Sequence, residues 1–195
     1  AVADLTGDGR PEIVAIHQGR YGFVEPDWSD PTQPWRFRPL SSNEGWQKFT
    51  HGLGVGDVNG DGRNDLLEKG GWWEQPASLA GDPVWTRHEV DFGDGGAQMH
   101  AYDMDGDGDS DVVTSLVAHG YGLAWFEQVD EAEGARFVRH VIMDDEPSDN
   151  RYGVRFSQLH AVELADMDGD GILDIITGKR HWAHGSTGHV DANAP

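Results

Sequence analysis

Four short stretches of this chain carry acidic residues at a spacing that suits the binding of a cation. They read DLTGDGRPE from Asp4, DVNGDGRND from Asp57, DMDGDGDSD from Asp103 and DMDGDGILD from Asp166. In such a loop the oxygens at positions one, three and five converge on one point. Glycine at position six permits the sharp turn, position seven offers its carbonyl, and position nine closes the shell. The candidate ligands are Asp4, Thr6, Asp8, the Arg10 carbonyl and Glu12 in the first loop, and Asp57, Asn59, Asp61, the Arg63 carbonyl and Asp65 in the second. The third offers Asp103, Asp105, Asp107, the Asp109 carbonyl and Asp111, and the fourth Asp166, Asp168, Asp170, the Ile172 carbonyl and Asp174. Hard oxygen donors in a flexible cage select Ca²⁺ over Mg²⁺, and the lack of Cys and His in the loops disfavours zinc or copper there. Up to four calcium ions are expected, the first held most weakly because Thr6 and Glu12 depart from the pattern.

Two bland readings compete. A lone Asp-Gly pair is usually a solvated turn, but four copies at full spacing are not lone pairs. The helical type of calcium loop needs a bidentate acid at position twelve. This chain has Ala15, Glu68, Thr114 and Thr177 there, so only one of the four would serve.

Histidine is the second residue type with chemistry to offer. His51, His100 and His160 precede or open the segments that lead into three of the acidic loops, while His17, Lys69, His119, Lys179, Arg180 and His181 follow the segments that leave them. Imidazoles from several repeats would suit a second, transition-metal ion, or a general base beside Arg180. The structural alternative is that they hydrogen-bond inside strands, as isolated histidines do. Spacing counsels the same, since His51 and His160 stand six residues before their loop acids and His100 only three.

These residues must be positioned by something that repeats, because the loops start at 4, 57, 103 and 166 and so recur every 46 to 63 residues. The flanks repeat too. HGLGVG, QMHAY and LHAVELA lie upstream; EIVAI, DLLEK, DVVTSLV and DIITG lie downstream, short and mostly β-branched runs bounded by glycine. YGFVEP, GWWEQP and YGLAWFEQ form a third set. Alternating runs from Trp35, Trp85 and Phe137 form a fourth, with Arg or His on one side expected to be solvated. A repeat of strand, acidic loop, strand, turn, strand, loop and strand is a four-stranded antiparallel β-propeller blade. The expected fold is all-β, a single propeller region over 1–195 with about four blades at 1–45, 46–95, 96–150 and 151–195. The last looks incomplete, which suggests part of a larger, seven-bladed ring. In this order of strands the acidic loops and the histidines lie on opposite faces. Trp72-Trp73 and Trp125-Phe126 are expected to pack between blades rather than to form sugar-stacking platforms.

Composition agrees with a charged, metal-binding fold. The 35 acidic and 14 basic residues give a formal net charge of −21. That disfavours nucleic acid and anionic membranes as partners. Fifteen of the acids lie in the four loops, and four divalent ions would bring the charge to about −13. There is no cysteine, so neither a disulfide nor a thiolate metal site can hold the fold. No stretch approaches the length of a membrane span.

The DxDxDGxxD loop between strands one and two resembles the FG-GAP/VCBS repeats of integrin-α-like propellers. The resemblance covers nearly the whole chain and implies that these loops are calcium sites. It also implies a secreted, periplasmic or cell-surface scaffold or interaction module, with a protein or carbohydrate ligand and with further blades or adjacent domains in a longer chain. The SQLHAVELADMDGDG segment also resembles the propeller of aldos-2-ulose dehydratase. That implies a carbohydrate-active lyase or dehydratase, with His51, His100 and His160 holding a second metal or abstracting a proton. No nucleophile motif such as GxSxG is present.

Overall fold

Short apolar or alternating runs, punctuated by glycine, become strands. The computed structural model describes residues 1–180 apart from 48, 132, 133, 147, 149 and 151. His181 and Trp182 lie outside the described residues. Strands β1 (Val2–Ala3), β2 (Glu12–His17), β3 (Arg20–Glu25) and β4 (Arg36–Pro39) form one antiparallel meander in sequence order. Strands β5 (Leu53–Gly56), β6 (Asp65–Glu68), β7 (Gly71–Glu74) and β8 (Thr86–Glu89) form a second. A third comprises β9 (Gln98–Tyr102), β10 (Asp111–Ser115), β11 (Leu123–Glu131) and β12 (Gly134–Met143). The hairpin β13 (Leu159–Ala165) and β14 (Asp174–Lys179) follows. The chain is thus all-β and built of antiparallel strands, with the acidic loops at the β1–β2, β5–β6, β9–β10 and β13–β14 turns. No helix among the described residues is long and apolar enough to cross a membrane.

One pairing was not expected from the repeat. The second and third meanders join into an eight-stranded sheet because β5 and β9 pair in parallel, Leu53 with Gln98 and Gly54 with Met99. Glycine permits it. A Cβ on Gly54 would meet the Met99 carbonyl oxygen at 2.1 Å, and one on Gly56 would meet Ala101 Cβ at 2.6 Å.

The second strand of the middle meanders is buried on both faces, and the period of two sends neighbouring residues to different cores. Leu66 and Trp73 pack with Leu5, Val14, Tyr21, Phe23 and Leu40 of the first meander. Leu67 and Trp72 pack the other way, with Met99, Val112 and Phe126 of the third. Val113 faces Leu159 and Val162 of the last hairpin. Each meander is therefore glued to the next by its central strands, and Trp72 and Trp73 are core residues, 7% and 3% exposed. Burial of two such side chains contributes several kcal/mol, at about 1.5–3 kcal/mol each.

The outer strands differ from the solvated edge expected for Arg and His. Directly across the ladder, Phe23 faces Arg38, Trp72 faces His88 and Trp125 faces His140. His88 stacks on Trp72 with ring centroids 4.1 Å apart, and His140 on Trp125 at 4.4 Å. Arg38 sits over Phe23 at 5.0 Å. A glutamate two residues past each aromatic closes the group: Arg38 to Glu25 at 3.0 Å, His88 to Glu74 at 2.8 Å and His140 to Glu127 at 2.6 Å. The basic residues shield aromatic faces here, and the planar ring or guanidinium is what fits. Arg87 likewise turns inward, 3.0 Å from the buried Glu68.

Candidate metal centres

All four acidic loops use one hydrogen-bond pattern. The first carboxylate accepts from the backbone at both oxygens: Asp4 from Gly7 and Gly9 at 2.7 and 2.8 Å, and Asp166 from Gly169 and Gly171 at 2.7 and 3.0 Å. Asp103 is held the same way by Gly106 and Gly108, and Asp57 by Asp61 and Gly62. The position-five acid accepts from the position-seven N–H, as in Asp170 from Ile172 at 2.8 Å. Glycines at positions four and six of every loop lie at φ between 71° and 101° with open space where a Cβ would stand. They are there for the left-handed backbone, not for room. The glycine at position four was not singled out from the sequence, although it stands in all four copies.

Position nine plays a part beyond closing a shell. Asp65 accepts from Val58 N–H at 3.0 Å and Gln75 N–H at 2.8 Å, and Asp111 from Met104 and Gln128, both at 2.8 Å. Glu12 accepts from Leu5 at 2.8 Å, and Asp174 from Met167 at 2.9 Å. This acid ties the loop to the second strand and, in the two middle loops, to a residue just past the third strand (Gln75) or within it (Gln128).

The third and fourth loops gather acids as a cation would need. Asp103, Asp105 and Asp111, and likewise Asp166, Asp168 and Asp170, offer one oxygen each within 4.8 Å of one another. In the first loop the Thr6 hydroxyl is turned to Glu12 instead, at 3.4 Å. In the second, Arg63 forms an ion pair with Asp61 and donates to the Gln75 carbonyl at 3.0 Å. Arg10 lies over Trp28, and the Ile172 side chain is exposed, as carbonyl-only positions allow.

Crowded carboxylates raise one another. Burial, with Asp61 and Asp57 adding, pushes Asp65 up to about 6 from an ordinary 3.8. Burial, then Asp107, Asp111, Asp105 and Asp130, does the same to Asp109, and Asp111 is raised for similar reasons. Acids raised in the folded state bind more protons there than in the unfolded chain between pH ~4 and 6. The metal-free protein therefore gains stability as pH falls from 7.5 to 5.5. A chain holding calcium in these loops would lose stability over the same range, since protons compete with the ion for the carboxylates. Thermal melts in EGTA and in calcium at the two pH values should move in opposite directions, by a few degrees each.

The opposite end holds the histidines. His51 lies in the turn before β5, His119 in the loop after β10 and His160 near the start of β13, so three successive repeats contribute one each. One ring nitrogen from each lies within 4.8 Å of the other two. Ring centroids are 5.0 Å apart for His51–His119, 5.5 Å for His51–His160 and 4.7 Å for His119–His160. His100, the partner suggested by sequence, is elsewhere: its Nε2–H donates to the Val162 carbonyl at 2.8 Å and ties β9 to β13. Arg180 is exposed, and its backbone N–H donates to the Gln158 carbonyl at 3.1 Å. His17 packs edge-on to Phe37, and the Lys69 ammonium donates to the Asp94 carbonyl at 3.3 Å.

Gly95 brings the first two histidines together. A Cβ there would meet the His51 carbonyl oxygen at 2.7 Å, while the Gly95 carbonyl accepts from Ala118 N–H at 3.0 Å. Gly95→Ala should therefore spread His51 from His119, at a φ of +100° that alanine also resists. We expect a loss of stability above about 1 kcal/mol in urea unfolding. A cleft of about 390 Å³ opens beside His51, lined by Glu44, Trp46, Phe49, Lys69 and Asp94.

A tetrahedral ion with bonds of about 2.0–2.1 Å separates its nitrogens by about 3.3 Å, so small side-chain rotations would close this trio on one ion. Imidazole donors suit Zn²⁺, Fe, Cu or Ni and not Ca²⁺. Three protein donors leave a coordination position open, the pattern of catalytic rather than structural sites. No protein family, curated protein or solved structure matches the chain.

Proposed function

We propose that this chain forms blades of a β-propeller braced by calcium at the acidic loops, and that its working site is a transition-metal centre held by His51, His119 and His160. The convergence of these three histidines from residues 51, 119 and 160 carries the reading. The bound ion would supply Lewis-acid polarisation of an oxygen ligand. The chain's own residues hold it in place and shape the cleft. Trp46 and Phe49 offer aromatic surface, Glu44 and Asp94 accept hydroxyl hydrogen bonds, and Lys69 brings a positive charge. Such a lining suits a hydroxylated, oxygen-rich substrate. A carbohydrate-active lyase or dehydratase, secreted, periplasmic or at the cell surface, is the reading we favour.

The experiment is a zinc titration against a chromogenic chelator, run in excess calcium so that the acidic loops are filled. One zinc per chain, bound below micromolar concentrations, supports the centre. Absence of a saturable site would sink it and favour a calcium-braced scaffold or interaction module instead.

A further inference from the structure

Gln158 stands in a conformation and an environment that packing alone does not explain. Its φ is +63°, in the left-handed region that residues with side chains rarely adopt. The residue is fully buried, and neither Oε1 nor Nε2 of its carboxamide has a hydrogen-bond partner among the described residues. Buried amides without partners are rare, and strained backbone gathers at functional sites. A methionine would fill much the same space without leaving two polar groups unsatisfied.

The backbone of Gln158, by contrast, is fully engaged, and with the histidine centre. Its N–H donates to the carbonyl of Gly120, the residue after His119, at 2.7 Å. Its carbonyl accepts from the N–H of His160 at 2.9 Å and of Arg180 at 3.1 Å. Gln158 is thus tied through its backbone to His160 and to the residue that follows His119.

We infer that Gln158 is a ligand-orienting residue of this centre. Its carboxamide hydrogen-bonds the oxygen ligand, whether water or a substrate hydroxyl, at the position that His51, His119 and His160 leave open. An amide offers both an acceptor and donors, which matches a group that itself donates and accepts. The inference rests on the metal-centre reading above.

Cobalt, whose visible spectrum reports its coordination, tests the two separately. Wild type, His119→Ala, Gln158→Met and Gln158→Asn would be titrated with Co²⁺ in excess calcium, and their melting temperatures measured without cobalt. Asparagine suits a positive φ and keeps a shorter amide, so it guards against misfolding of the methionine variant. We expect wild type to bind one Co²⁺ and both Gln158 variants to bind it roughly 10–100-fold more weakly, with an altered spectrum and no fall in melting temperature. Unchanged cobalt affinity and spectrum in both variants would overturn the role of Gln158 while leaving the centre intact. Wild-type binding that His119→Ala does not weaken would overturn the centre, and the role of Gln158 with it.

Discussion

Stripping calcium with EGTA at neutral pH should lower the melting temperature by about 20 °C, an effect as large as most of the folding free energy. Each site filled at a hundred times its dissociation constant adds about 2.7 kcal/mol. Filling the second, third and fourth loops would together add about 8 kcal/mol, against the 5–15 kcal/mol that stabilises a typical chain. For a chain of this length 1 kcal/mol moves the midpoint by about 2–4 °C. The structure says why the loops matter so much. Their position-nine acids are tied to the backbone at the bases of the second strands, and Asp65 and Asp111 are fully buried there. Burial, with the neighbouring carboxylates of the same loop adding to it, raises Asp109 and Asp111 in the metal-free chain. A melt indifferent to EGTA would show that these are solvated turns.

Replacing one histidine of the trio should abolish transition-metal binding in practical terms. Loss of a partner that only supports a ligand costs roughly 10–100-fold in affinity, and loss of a ligand exceeds that. His119→Ala leaves two imidazoles and two open positions, so zinc affinity should fall by more than 100-fold, beyond the outer-shell range. His51→Ala and His160→Ala should match it, since each of the three offers one ring nitrogen within 4.8 Å of the other two. His100→Ala is the control: it loses the bond to Val162 and about 1 kcal/mol of stability, with zinc affinity unchanged. Equal zinc affinity across the four variants would place the ion elsewhere.

Much of this architecture was legible from the chain because its signals are local and repeated. Segments such as QMHAY and LHAVELA coincide with β9 and β13, and the acidic loops lie at the turns their spacing demanded. Burial of Trp72 and Trp73 followed from two adjacent aromatics in a strand with cores on both sides. What failed were the contacts between repeats. Grouping His100 with His51 and His160, with His119 only a further candidate, came from aligning histidines ahead of the acidic loops. In fact His100 is inside β9 and bonds the neighbouring strand, whereas His119 reaches the trio from the loop after β10. The parallel β5–β9 ladder had a signal in the alternate glycines Gly54 and Gly56, whose missing side chains allow the close approach. His88 and His140 read as solvated because alternation gives the facing of a strand but not what its exposed side stacks on.

The histidine centre is tested most directly by X-ray absorption at the zinc edge on the chain loaded with one equivalent of zinc in excess calcium. Three imidazole nitrogens at about 2.0–2.1 Å, with one oxygen ligand completing the shell, are the predicted result. A shell of oxygens alone would place the zinc in the acidic loops and contradict a metal site at His51, His119 and His160.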